Sequence, residues 1–81
     1  MRMLRIADVC AVTGHMRTQV YAGVKAGLLP KGVPLGVGRA VAWPDTELEA
    51  INRARVAGKS NDEIRSLVKA LEAQRTEQRA A

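Results

Sequence analysis

Residues 6–29 read Ile6-Ala7-Asp8-Val9-Cys10-Ala11-Val12-Thr13-Gly14-His15-Met16-Arg17-Thr18-Gln19-Val20-Tyr21-Ala22-Gly23-Val24-Lys25-Ala26-Gly27-Leu28-Leu29. They hold two short helical patterns on either side of Gly14. In the first, Ile6, Val9, Cys10 and Val12 recur at the 3–4 spacing that gathers apolar groups on one helix face. In the second, Val20 and Val24 form the stripe and Leu28 and Leu29 close it. Arg17, Thr18, Gln19, Tyr21 and Lys25 fall on the other faces. Thr13-Gly14-His15-Met16 is the tight connection, and Gly14 is its one residue that takes a positive φ without steric cost. The first helix is expected to end there, and the second, about 17–26, at Gly27. Gly23 in mid-helix costs roughly 1 kcal/mol of propensity, so either a neighbour packs closely on it or the helix is soft there. Two short helices across a glycine turn, the second carrying basic and amide groups outward, make a helix-turn-helix pattern.

Working outward, Met3 to Ile6 alternates and predicts a brief strand before the first helix. After the second helix, Pro30, Gly32, Pro34, Gly36 and Gly38 forbid a helix. Val33, Leu35 and Val37 alternate, as do Val41 and Trp43, so residues 31–42 read as a hairpin turning near Gly36-Val37-Gly38. Arg39 lies close to its tip, and such a hairpin after a helix-turn-helix is a wing. Gly36-Val37-Gly38 is no phosphate loop, since no Gly-Lys-Ser/Thr follows. Trp43 reads as the apolar anchor between wing and third helix.

Pro44-Asp45 opens a third helix, with Asp45, Glu47 and Glu49 at its start, Leu48 and Ile51 inward, and Glu49 and Arg53 as an i,i+4 pair. Gly58 ends it. Ser60-Asn61-Asp62-Glu63 fits a capping box and starts a fourth helix with the stripe Ile64, Leu67, Val68 and Leu71. Past Leu71 come Glu72, Gln74, Arg75, Gln78 and Arg79, so the last two turns are expected to be solvated or frayed. The fold class is mainly α with a small β-hairpin: a winged helix-turn-helix with four helices. Residues 1–58 form a DNA-binding domain; residues 59–81 form an amphipathic helix packing on that domain or on a partner.

Charge sharpens the reading. The 81 residues carry a formal net charge of +5. Residues 1–43 hold Arg2, Arg5, Arg17, Lys25, Lys31 and Arg39 against Asp8 alone, while residues 44–81 balance seven basic with seven acidic groups. The entire excess lies on the half with the helix-turn-helix and wing, which suits a polyanion. Cys10 is the single cysteine, so no internal disulfide forms and no Cys/His set holds zinc. No metal or other cofactor is expected. There is no secretory signal and no stretch near the ~20 apolar residues of a membrane span, which predicts a cytoplasmic protein without a membrane partner. No paired carboxylates and no nucleophile beside a base support an enzyme. With only Tyr21 and Trp43 as aromatic residues, single-stranded nucleic acid is disfavoured.

The ordered series Leu4-Arg5-Ile6-Ala7-Asp8-Val9, Thr13-Gly14, Arg17-Thr18-Gln19-Val20-Tyr21, Lys25-Ala26-Gly27, Leu29-Pro30 and Gly38-Arg39-Ala40-Val41-Ala42-Trp43, followed by an acidic helix, resembles the AlpA-type prophage regulators of the MerR-like and excisionase-like group. The resemblance covers about Met3 to Ala54. It implies a winged helix-turn-helix that binds double-stranded DNA, activates or represses prophage genes, or assists an integrase in excision. Where members carry Ser or Thr at the recognition-helix N-cap, this chain has Met16, which offers the helix amides no oxygen. Where another basic residue commonly follows the tyrosine, it has Ala22.

The pattern assigns DNA contacts as follows. Arg17, at the end of the helix that enters the major groove, meets guanine or phosphate. Thr18 and Gln19 meet phosphate and a base edge. Tyr21 either donates its hydroxyl to phosphate or packs on the wing, and Lys25 meets phosphate. Arg39 reaches the minor groove or backbone, unless it pairs with the acidic third helix. Lys31 and Arg5 are further basic candidates. His15 reads as a turn residue; Arg53, Arg55, Arg65 and Lys69 read as solvated faces. One such module covers a short half-site, so specificity calls for a second copy, as a dimer or an array on DNA. Two other functions remain open at this level. One is a packaging subunit like the small terminase subunits of lambda-like phages, although a tail ending at Ala81 is short for an assembly region. The other is an adaptor that offers the 64–71 stripe to a partner helix.

Overall fold

The computed structural model describes the backbone of residues 1–80 and the side chains of residues 1–76. In chain order the elements are β1 (Met3–Leu4), α1 (Ile6–Thr13), α2 (Arg17–Lys25), β2 (Val33–Pro34), β3 (Val41–Pro44), α3 (Asp45–Val56) and α4 (Asn61–Ala80). β3 is the middle strand, antiparallel to both neighbours, with Leu4 opposite Trp43 and Val33 opposite Ala42. Pro34 is tolerated because β2 is an edge strand, where no ladder bond is needed from its nitrogen.

Local chemistry sets the boundaries. Gly14 takes φ 75° and its N–H returns to the Cys10 carbonyl at 2.9 Å, which closes α1 and turns the chain toward α2. At the head of α4 the Ser60 N–H donates to Glu63 Oε1 at 3.1 Å, and the Glu63 N–H donates to Ser60 Oγ at 3.2 Å. This is the capping box the sequence predicts. The Gly23 question is answered by packing: a Cβ there would stand 2.9 Å from Cδ1 of Leu29, itself buried.

The core joins Leu4, Val9, Val20, Leu29, Trp43, Leu48, Ile51, Ile64 and Val68, so every element except β2 contributes. Ile64 is fully buried and Leu67 and Leu71 pack beside it. The 64–71 stripe therefore covers the molecule's own core, and an adaptor has lost the face it needed. Three local expectations are corrected. Val12 is 41% exposed, because it stands roughly a third of a turn off the Ile6–Val9 face, and Thr13 turns in instead, its Oγ1 donating to the Val9 carbonyl at 2.7 Å. Among the described residues, Glu49 and Arg53 form no ion pair. Arg65 is not merely solvated: its Nε donates to the Ala26 carbonyl at 3.0 Å and its Nη1 to Asp62 Oδ1 at 3.1 Å.

The larger correction lies past Leu71. Arg75 continues the Ile64, Val68, Leu71 row by one more turn and docks on α3. Its Nε donates to Glu47 Oε2 at 2.9 Å and its Nη2 to Glu47 Oε1 at 2.6 Å, with side chains 15% and 8% exposed. Glu72 accepts the Lys31 N–H at 2.9 Å. The side chains expected to fray at Gln78 and Arg79 lie outside the described residues.

Two predictions follow from these contacts. Arg75→Ala strands a buried carboxylate and should lower the unfolding free energy by about 3–5 kcal/mol, whereas Glu47→Leu with Arg75→Leu should recover most of the loss. Chemical denaturation of the three proteins tests this. The Asp45 carboxyl is held below its ordinary value by the Arg2 backbone N–H, and that of Glu63 by the Ser60 N–H and hydroxyl. A depressed carboxyl stabilises the fold above its unfolded-state value and loses that effect as pH falls through its folded value. Acid titration below the usual carboxylate range should therefore loosen the β1–α3 tie and the α4 cap. Asp45→Asn and Ser60→Ala should flatten that dependence.

Candidate nucleic-acid interface

α2 has one buried side. Val20 is fully buried, and burying it turns Arg17, Thr18, Gln19, Tyr21 and Lys25 outward, all exposed. Arg17, Tyr21 and Lys25 stand at i, i+4 and i+8, one row about 12 Å long. The Tyr21 side is 50% exposed. Gln19 is partly committed: its Oε1 accepts the Met16 N–H at 2.9 Å, which makes up part of the missing cap and leaves the side-chain amide N–H groups for a partner.

Both helices of the pair are held from behind. Asn52 of α3 donates to the Val12 carbonyl at 3.0 Å, and Arg65 of α4 to the Ala26 carbonyl. These are carbonyls at the C-terminal ends of α1 and α2, which have no partner within their own helix. A cation at such an end also meets the negative pole of the helix dipole.

The wing joins β2 to β3 through a turn in which the Leu35 N–H donates to the Ala40 carbonyl at 2.9 Å. Arg39 is exposed on this turn, beside Val37 at 76% exposure. The root of the wing is tied at three successive backbone groups. Trp43 Nε1 donates to the Pro30 carbonyl at 2.7 Å, Glu72 accepts the Lys31 N–H, and Arg75 Nη2 donates to the Lys31 carbonyl at 2.9 Å. Trp43 thus anchors the wing by a hydrogen bond as well as by packing. Sequence reasoning missed Asn52, Arg65, Glu72 and Arg75. One signal was present: Glu47 sits four residues before Ile51, on the inward side of α3, and a buried acid requires a cation.

Of the six cations in residues 1–43, Arg2 is paired with Asp8 at 3.7 Å. Among the described residues, Arg5, Arg17, Lys25, Lys31 and Arg39 form no ion pair, so Arg39 does not join the acidic helix α3. The structure brings Lys25 and Lys31 to one hollow, places Arg17 and Thr18 at the far end of α2, and carries Arg39 out on the wing. No three His, Cys, Asp or Glu side chains among the described residues are grouped to hold a metal ion. Among them, no helix is long and apolar enough to cross a membrane.

Two short helices across a glycine turn, a three-stranded sheet with a hairpin wing and a supporting pair of helices define a winged helix-turn-helix protein. Residues 2–55 match the family described as prophage CP4-57 regulatory protein (AlpA), and the chain belongs to that family of prophage regulators. It is 36% identical over 58 residues to an uncharacterized protein, ORF88, of Enterobacteria phage P4. That match takes in 72% of this chain and spans 65% of the phage protein's length. No solved structure matches the chain. The family match stops within α3, so Arg65, Glu72 and Arg75 lie beyond it.

The Trp43 anchor can be tested on its own. Trp43→Phe removes the indole donor and strands the Pro30 carbonyl, with an expected loss of about 1–3 kcal/mol of stability. Equilibrium denaturation followed by circular dichroism measures it.

Proposed function

We propose that this protein binds double-stranded DNA in a sequence-specific way, as a prophage transcriptional regulator or excision factor. One observation carries the reading: five cations on the helix-turn-helix and wing have no acidic partner among the described residues, while α3 and α4 hold the pair from behind. A surface of like charges fixed in this way is complementary to a polyanion. Membership of a prophage regulatory family supports it.

In this reading α2 enters the major groove and residues 31–42 serve as the wing. Arg17 meets a guanine edge or a phosphate, Thr18 and the Gln19 amide meet phosphate and base, and the Tyr21 hydroxyl donates to phosphate. Lys25 and Lys31 contact phosphates, and Arg39 enters the adjacent minor groove or follows the backbone. A second copy on a neighbouring half-site supplies the remaining specificity, and an integrase or another phage protein is the further partner if the role is excision. The working compartment is the cytoplasm, where the DNA lies.

The test is fluorescence anisotropy, titrated with salt, on duplexes from the chain's own genomic neighbourhood and on random duplex. One local fragment should bind at least ~10³ tighter than random DNA, Arg17→Ala should erase most of that preference, and Arg39→Ala should weaken binding. Weak, equal binding to every duplex that vanishes at moderate salt would overturn the specific reading.

A further inference from the structure

The end of α2, the root of the wing and α4 enclose an open hollow of about 530 Å³. Lys25, Lys31, Arg65 and Lys69 line it, together with the single acid Glu72. We propose that this hollow seats a phosphate of the DNA backbone, and that Lys69 of α4 is a DNA contact lying beyond the winged module. The proposal rests on the DNA-binding reading and extends its footprint.

The groups in the hollow are already divided between building it and facing outward. Arg65 is occupied by the Ala26 carbonyl and Asp62. Glu72 is occupied by the Lys31 N–H. Three lysines remain, and among the described residues none of them is in an ion pair. Their backbones are fixed: Lys25 in the last turn of α2, Lys31 through both of its peptide groups, and Lys69 one turn past the anchored Arg65. Three lysines from three segments outnumber the one carboxylate of the hollow, which leaves it a net positive charge suited to an anion. Lysines act as mobile point charges suited to phosphate rather than to base edges. Lys25 also ends the Arg17, Tyr21, Lys25 row. A strand followed along that row would therefore run on into the hollow, which favours a duplex backbone over a free anion.

The experiment compares the protein with Lys69→Ala, Lys69→Glu and, as a control, Lys59→Ala, whose lysine already pairs with Glu63 at 3.7 Å. Lys69→Ala should weaken native and random duplexes alike, by about 3- to 10-fold, and lower the slope of log K against log salt by about 1. Lys69→Glu should weaken both further, and Lys59→Ala should leave both unchanged. Retention of Arg17-dependent binding with an unaltered slope in Lys69→Ala overturns this proposal and leaves the DNA reading standing. A wild-type protein that binds no duplex overturns both. A loss confined to the native duplex overturns it as well, since a phosphate contact is blind to sequence. So does a Lys69 amide resonance that shifts with millimolar inorganic phosphate and not with duplex, which would mark a free-anion site.

Discussion

The guanidinium of Arg75 reaches both oxygens of Glu47 and the carbonyl of Lys31, and three parts of the molecule meet at that point: the acidic third helix, the root of the wing and the last helix. The wing needs such a tie. Its first strand is two residues long and its ladder is correspondingly short, so the hairpin contributes little rigidity of its own. With the Pro30 and Lys31 peptide groups bound by side chains from β3 and α4, the hairpin leaves the body of the protein in one direction only. A buried ion pair is a poor source of net stability, because desolvation offsets most of the attraction. Its effect here is geometric, since a bidentate fork fixes orientation as well as distance.

The helix-turn-helix pair depends on the same logic. Helices of eight and nine residues are too short to persist alone in water. Val9 and Val20 commit one side of each to the shared core, and Asn52 and Arg65 close their carboxyl ends. The exposed side is then left to side chains with no internal task. Gln19 is the exception, because Met16 gives the helix no oxygen at its start and the amide of Gln19 makes up part of the lack.

The two halves of the chain use charge differently. In the second half Lys59, Arg65 and Arg75 each have an acidic partner: the first two pairs are local to the head of α4, and Arg75 with Glu47 binds α4 to α3. In the first half the cations outnumber the acids six to one, and among the described residues all but Arg2 stand without an ion-pair partner. Lys69 belongs to the second half by sequence and to the first by position, since α4 carries it to the hollow beside Lys25 and Lys31.

Much of this was legible in the residues. Gly14 ended α1, Ser60 and Glu63 capped α4, and the rows through Val9, Val20, Leu48 and Ile64 marked the faces that are buried. The positions on α2 and the wing were legible too, because an exposed face follows once its buried face is known. Arg75 and Glu72 were not, and looked like the solvated end of a fading stripe; Arg65 was not either, and looked like part of a solvated face. The physical reason is range. Caps, turns and periodicity arise within about four residues of chain, so the sequence by itself determines where helices begin, end and turn their apolar sides. Glu47 and Arg75 are 28 residues apart and Lys31 and Glu72 are 41 apart. Which charges pair, and which stay free for a partner, was decided only when the tertiary structure brought those segments within hydrogen-bonding distance.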